Sequence, residues 1–224
     1  MAPDDTAPFR ASSGAPAGPP SHRVLARRLE GLNIYLVGMM GAGKSAVGRP
    51  LAEALGYRFI DADTALEAAA GQPIATIFAS EGEAAFRSLE TAVLDGIAGW
   101  HSVVVATGGG VVTRPANWGH MRQGVVVWLD APEEELLRRL AADPSPRPLL
   151  EAADPGTRLA ALLAERRPLY AQADLTVQQR GGDPAAVARQ VLEALPSVLK
   201  PRPQVPAAAT TLQDSDGQRV TTIN

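Results

Sequence analysis

The sequence has no cysteine in its 224 residues. Disulfides, thiolate metal sites and a cysteine nucleophile are thereby excluded. Aromatic residues are scarce, at 4%, although 46% of the chain is hydrophobic. The core must be built from Ala, Val and Leu. Neither sign of charge dominates: 21 Lys and Arg stand against 24 Asp and Glu, a formal net charge of −3. That balance gives no support to a nucleic-acid or membrane-surface partner. No apolar run approaches the roughly 18 residues of a membrane-spanning helix. The opening MAPDDTAPFR is acidic and lacks an apolar centre, which reads against a secretory leader. A cytoplasmic protein is the expectation. His22, His101 and His120 share no ligand spacing and are given no role.

Length suits one domain with polar ends. Residues 1–20 are rich in Pro, Ala, Gly and Ser. We expect a disordered or extended segment over 1–30, with a short lead-in helix from His22 to Glu30 as its ordered piece. Three prolines and a polar run after Leu199 predict a second disordered tail over 200–224. The folded domain is placed at 31–199. Within it, strands are expected at Leu32–Val37, Arg58–Asp61, Ser102–Ala106, Val125–Leu129 and Asp174–Gln178. Helices are expected at Lys44–Leu55, Glu83–Ala98, Pro132–Ala142, Thr157–Ala171 and Pro184–Leu195. Runs such as VVVA and VVVWL are apolar throughout, as in parallel strands buried on both faces. The fold class is α/β, a five-stranded parallel sheet flanked by helices in three layers.

Directly after the first strand stands Gly38-Met-Met-Gly-Ala-Gly43-Lys44-Ser45. It fits the phosphate-loop pattern G-x-x-x-x-G-K-[ST], in the strand-to-helix context that the pattern requires. Gly38, Gly41 and Gly43 allow a sharp turn whose N–H groups face phosphate oxygens. The following helix N-terminus adds a positive field. Gly41, Ala42, Gly43, Lys44, Ser45 and Ala46 are the candidate ATP-binding residues. Lys44 brings a charge to the β- and γ-phosphates, and Ser45 brings a hydroxyl to Mg²⁺. GTPases and motors share this loop. No N-K-x-D base-reading motif follows, since Asn33, Asn117 and Asn224 all lack a lysine after them. A small-molecule kinase is the best class.

The second strand ends in Asp61-Ala62-Asp63. Ligands of parallel sheets gather at strand carboxyl ends. Asp61 suits Mg²⁺, and Asp63 suits the acceptor hydroxyl. Read alone, Asp63 is equally an N-cap for the TALEAAA helix. Asp130 ends another apolar strand and resembles a metal-binding aspartate, but Ala-Pro-Glu-Glu follows, and it reads better as a helix cap. Arg87 is either a surface arginine or a fork for a carboxylate. Gly108-Gly109-Gly110 is either a flexible turn or a close approach to ligand. Prolines 144, 146 and 148 surround Arg147 and forbid a helix. The segment 143–155 reads as a connector or as a mobile lid whose arginine closes over ATP.

Together these pieces resemble the shikimate kinase family. The residues are GMMGAGKS at 38–45, DAD at 61–63, IFASEGEAAFR at 77–87, ATGGGVV at 106–112, RPLL at 147–150 and ERRPLY at 165–170. The resemblance covers about 32–195. It implies a P-loop NTPase fold and transfer of the γ-phosphate of ATP to the 3-hydroxyl of shikimate. This is a step towards chorismate and the aromatic amino acids. It implies Asp63, Arg87, Gly109 and Arg166 as shikimate-binding residues, with Arg166 preferred to Arg167. It makes Lys44, Asp63 and Arg147 the catalytic set. Arg147 contacts ATP, Arg139 lies near the adenine, and Ser45 and Asp61 hold one Mg²⁺. A monomer is expected. Two local departures are Ala46, where relatives often carry Thr, and Pro50 inside the P-loop helix, where a kink is expected. The alternatives are a gluconate-kinase-like enzyme, a nucleotide-binding regulatory module, or a scaffold presenting its tails.

Overall fold

The computed structural model describes residues 22–143, 154–179, 182–199, 210–213 and 219–222. Five strands form the expected sheet: β1 (Ile34–Val37), β2 (Arg58–Asp61), β3 (Val103–Ala106), β4 (Val125–Asp130) and β5 (Leu175–Gln178). They pair in parallel in the order β2-β3-β1-β4-β5. The apolar runs explain their own placement. β1, β3 and β4 are buried at every position and occupy the middle. β2 and β5 are partly exposed and lie at the edges. The chain moves to one side of β1 for β2 and β3, then to the other for β4 and β5. The end of β1 is thus a topological switch point, where ligands of such sheets bind.

Alternate residues of β1 feed two apolar layers. Ile34 and Leu36 pack with Leu51 and Leu55 of α2 (Lys44–Leu55), Leu159 of α7 (Pro155–Tyr170), and Val187 and Val191 of α8 (Pro184–Ala194). Tyr35 and Val37 pack with Leu94 of α4 (Ile74–Ala98), Trp118 and Met121 of α5 (Pro115–Met121), and Tyr170. The remaining helices are α3 (Ala62–Ala70) and α6 (Glu133–Ala141).

Several boundaries differ from expectation. An α-helix, α1 (His22–Leu29), already belongs to the domain, because Leu25 and Leu29 are buried in its core. The lead-in helix expected at His22–Glu30 is therefore present, and its buried leucines join it to the domain placed at 31–199. Within 200–224, Thr210–Gln213 (β6) and Arg219–Thr222 (β7) pair as an antiparallel ribbon where a disordered tail was expected, and the rest of that segment lies outside the described residues. Both runs are rich in β-branched residues, and Asp216-Gly217 lies between them in sequence. α4 extends back to Ile74 across Gly82, whose φ of 80° and ψ of 173° break the helical path. α3 is the TALEAAA helix, begun two residues earlier at Ala62, and α5 was not anticipated. Pro50 sits inside α2, which continues past it to Leu55.

Candidate active site

The phosphate loop turns between β1 and α2. A Cβ on Gly38 would stand 2.6 Å from the carbonyl oxygen of Leu129, and its φ is 145°. Only glycine fits that crossing. Gly43 caps α2 in the left-handed region, at φ 78°. Lys44 is 9% exposed and donates to the carbonyls of Gly38 at 2.8 Å and Met39 at 3.1 Å.

Ser45 Oγ donates to Asp61 Oδ2 at 2.5 Å. The other oxygen of Asp61 accepts from the backbone N–H groups of Asp63 and Thr64. Asp61 is therefore the N-cap of α3, and the alternative of Asp63 as the cap is corrected. Asp63 lies in the first turn with its side chain lining the cleft. Burial pushes its carboxyl above the ordinary aspartate value, while Lys44 pulls it back down.

A cleft of about 360 Å³ opens over the loop. Its walls include Gly41, Gly43, Lys44, Ser45, Ala46, Asp61, Asp63, Gly109 and Arg139. Ala42 does not line it: the side chain is wholly buried in the core, and its carbonyl accepts from Gln179. A second cavity of about 170 Å³ shares Gly43, Ala46 and Arg139, and adds Val47, Gln179 and Pro184. Arg139 donates to Gly41 O at 3.1 Å and to Glu135 at 2.6 Å. Arg138, then Arg139, hold the Glu135 carboxyl down at about 2.

Arg87 and Arg166 do not line the cleft. Both are buried, at 6% and 3% exposure. Arg87 pairs with Glu90 at 2.9 Å and Glu83 at 3.0 Å. Burial opposes its charge, but the two carboxylates outweigh burial and hold its pKa above the ordinary arginine value. Arg166 Nε and Nη1 have no hydrogen-bond partner. The glycine triplet ties these groups to the cleft. A Cβ on Gly108 would meet Glu90 at 2.6 Å and Asp63 at 3.0 Å, and one on Gly110 would meet the Arg87 guanidinium at 2.3 Å. Gly109 lines the cleft, and its carbonyl accepts from the buried Tyr170 hydroxyl. Burial raises that hydroxyl to about 12, so it remains a donor.

Asp130 is not the helix cap that its sequence context suggested. Pro132 occupies the cap position of α6. Asp130 is buried and accepts from Arg167 at 2.8 Å and Gln178 at 2.7 Å. Arg167 is thereby engaged with Asp130, whereas Arg166 keeps two buried nitrogens without a hydrogen-bond partner. Arg147 and most of the segment 143–155 lie outside the described residues. Asp143 lines the cleft, and Asp154 caps α7. Sequence reasoning gave no role to Thr107 and Tyr170, which stand in the quoted motifs, and passed over Glu90 and Gln179. Thr107 directly precedes the glycines, and Glu90 stands three residues after Arg87, a helical neighbour.

Hard oxygen donors at Ser45 and Asp61 suit Mg²⁺, which binds through one or two carboxylates plus substrate phosphates. Among the described residues no cluster of three or more His, Asp or Glu forms a protein-only metal cage.

The shikimate kinase family model matches residues 40–196. A shikimate kinase of Synechococcus sp. (strain RCC307) is 58% identical over 176 residues, covering 79% of this chain and 90% of the relative. One from Prochlorococcus marinus (strain MIT 9313) is 53% identical over 186 residues, covering 83% and 97%. A shikimate kinase from Acinetobacter baumannii, solved in complex with shikimate, superposes with a TM-score of 0.73. It is 41% identical and covers 76% of this chain and 96% of its own. With that match over the phosphate loop, the paired aspartates, the glycine triplet and the buried arginines, the chain belongs to the shikimate kinase family.

Proposed function

We propose that this cleft performs the family's reaction with the division of labour set out below. Family membership makes the chain an ATP-dependent kinase acting on shikimate. In the reaction the 3-hydroxyl oxygen bonds to the γ-phosphorus as the bond to the ADP oxygen breaks. Lys44, within the loop, meets the charge of the β- and γ-phosphates once ATP displaces its contacts with Gly38 and Met39. Asp63 accepts a hydrogen bond from the acceptor hydroxyl and aims its oxygen for in-line attack. Ser45 and Asp61 would hold Mg²⁺, which, when bound, offsets charge on the transferring phosphoryl group. The smaller cavity beyond Arg139 takes the base. Arg147 contacts ATP, as the family resemblance implies. The enzyme is read as a cytoplasmic monomer with one Mg²⁺ per site.

The observation that carries the acceptor assignment is the state of Arg166. A guanidinium with two unpaired nitrogens and 3% exposure is costly by itself. A planar carboxylate meets it as a fork. Arg87, behind Gly110, adds a second cation. A site so built discriminates strongly against an acceptor that lacks the carboxylate. Arg166→Lys keeps the charge and loses the fork. We expect the KM for shikimate to rise at least about tenfold with the KM for ATP unchanged. An unaltered KM for shikimate would remove Arg166 from the acceptor site.

A further inference from the structure

Gln179 directly follows β5 and is 2% exposed. Its backbone N–H donates to Asp130 O at 2.7 Å, which fixes where the side chain starts. Both ends of its amide are then used. Nε2 donates to the carbonyl of Ala42 at 2.6 Å, and Oε1 accepts from Arg139 Nη1 at 3.2 Å. A carbonyl can only accept and a guanidinium can only donate, so the amide has one orientation here. The same Arg139 nitrogen donates to Gly41 O and would lie 3.3 Å from a Cβ on Gly43. One buried amide therefore joins the rim of the phosphate loop to the arginine standing between the two cavities.

We propose that Gln179 is a positioning residue for the nucleotide. It acts through Ala42 and Arg139 and rests on the assignment of the two cavities to ATP. Holding the Ala42 carbonyl outward fixes the peptide plane that leads into Gly43, and so the directions of the N–H groups that receive phosphate. Holding Arg139 against the loop keeps the guanidinium at the junction of the cavities rather than out with Arg138 in solvent. A glutamine that served packing alone would need neither bond, since an apolar side chain of equal length would fill the space.

Gln179→Met keeps the length and removes both bonds. Gln179→Glu keeps an acceptor for Arg139 but sets a carboxylate oxygen against the Ala42 carbonyl. The measurements are ADP binding by titration, KM for ATP and for shikimate, kcat, and Tm, on the full chain. We expect both variants to bind ADP about tenfold more weakly and to raise the KM for ATP alike. The KM for shikimate should stay at the wild-type value. Unchanged ADP affinity in both variants would overturn the proposal. So would equal rises in both KM values with a lowered Tm, which mark a structural role. A wild-type protein that binds no ADP would instead overturn the cavity assignment, and the proposal with it.

Discussion

Gly110→Ala tests how the acceptor arginine is seated. Gly110 has φ −96° and ψ 0°, a backbone that alanine can adopt. The perturbation is therefore the methyl group alone. That methyl would stand 2.3 Å from Arg87 Nη2, 2.4 Å from Nη1 and 2.5 Å from Cζ. Ordinary contact begins near 3.4 Å, so the guanidinium must withdraw by about 1 Å. It is paired with Glu83 and Glu90 and must drag or break those pairs. The end of a side chain moves more cheaply than backbone, so the fold survives and the loss falls on the acceptor. A misplacement of ~1 Å in a positioning group costs on the order of 10²-fold. ADP release, followed against shikimate concentration, should show kcat/KM for shikimate reduced by about that factor, with the KM for ATP unchanged. Gly119→Ala is the control, because nothing lies within 4 Å of its added methyl. Wild-type kcat/KM for shikimate in Gly110→Ala would refute the placement of Arg87 beside the acceptor.

Arg167→Ala should separate the neighbouring arginines. It leaves Asp130, 3% exposed, with Gln178 as its remaining side-chain partner. The expected loss is roughly 2 kcal/mol, reduced from a fully buried pair because Arg167 is half exposed. Tm should fall while the KM for shikimate holds; a raised acceptor KM with unchanged Tm would contradict the split of roles. Asp63→Asn should trade stability against activity. Burial raises the Asp63 pKa above 3.8, so its contribution to stability is full below that value. It is lost as pH rises through the raised folded value. The ligand-free Asn variant should therefore melt above wild type at pH 7 and converge with it in acid, while kcat collapses. A variant that melts lower throughout would show that Asp63 is not strained by burial.

Phosphate binding by backbone was legible because it demands glycines and Lys-Ser at fixed spacing after a strand. The continuous apolar runs likewise marked strands buried on both faces, as β3 and β4 are. Errors arose where two residues could fill one local role. Asp61 and Asp63 are both good caps, and a shift of two residues in the start of α3 decides between them. Asp130 looked like a cap because its partner Arg167 stands 37 residues away. Gln179 gave no signal, since its contact with Ala42 spans 137 residues and no periodicity records it. Arg166 was chosen over Arg167 on resemblance; its unmet donors and the Arg167–Asp130 pair now supply a physical ground.

The most direct test is ADP release from Mg²⁺-ATP, with and without shikimate, beside gluconate, quinate and nucleoside monophosphates as acceptors. The account predicts turnover that depends on shikimate, with little from acceptors that cannot fill both the Asp63 and Arg166 positions. Turnover with gluconate or a nucleotide in preference to shikimate, or ATP hydrolysis indifferent to every acceptor, would contradict it.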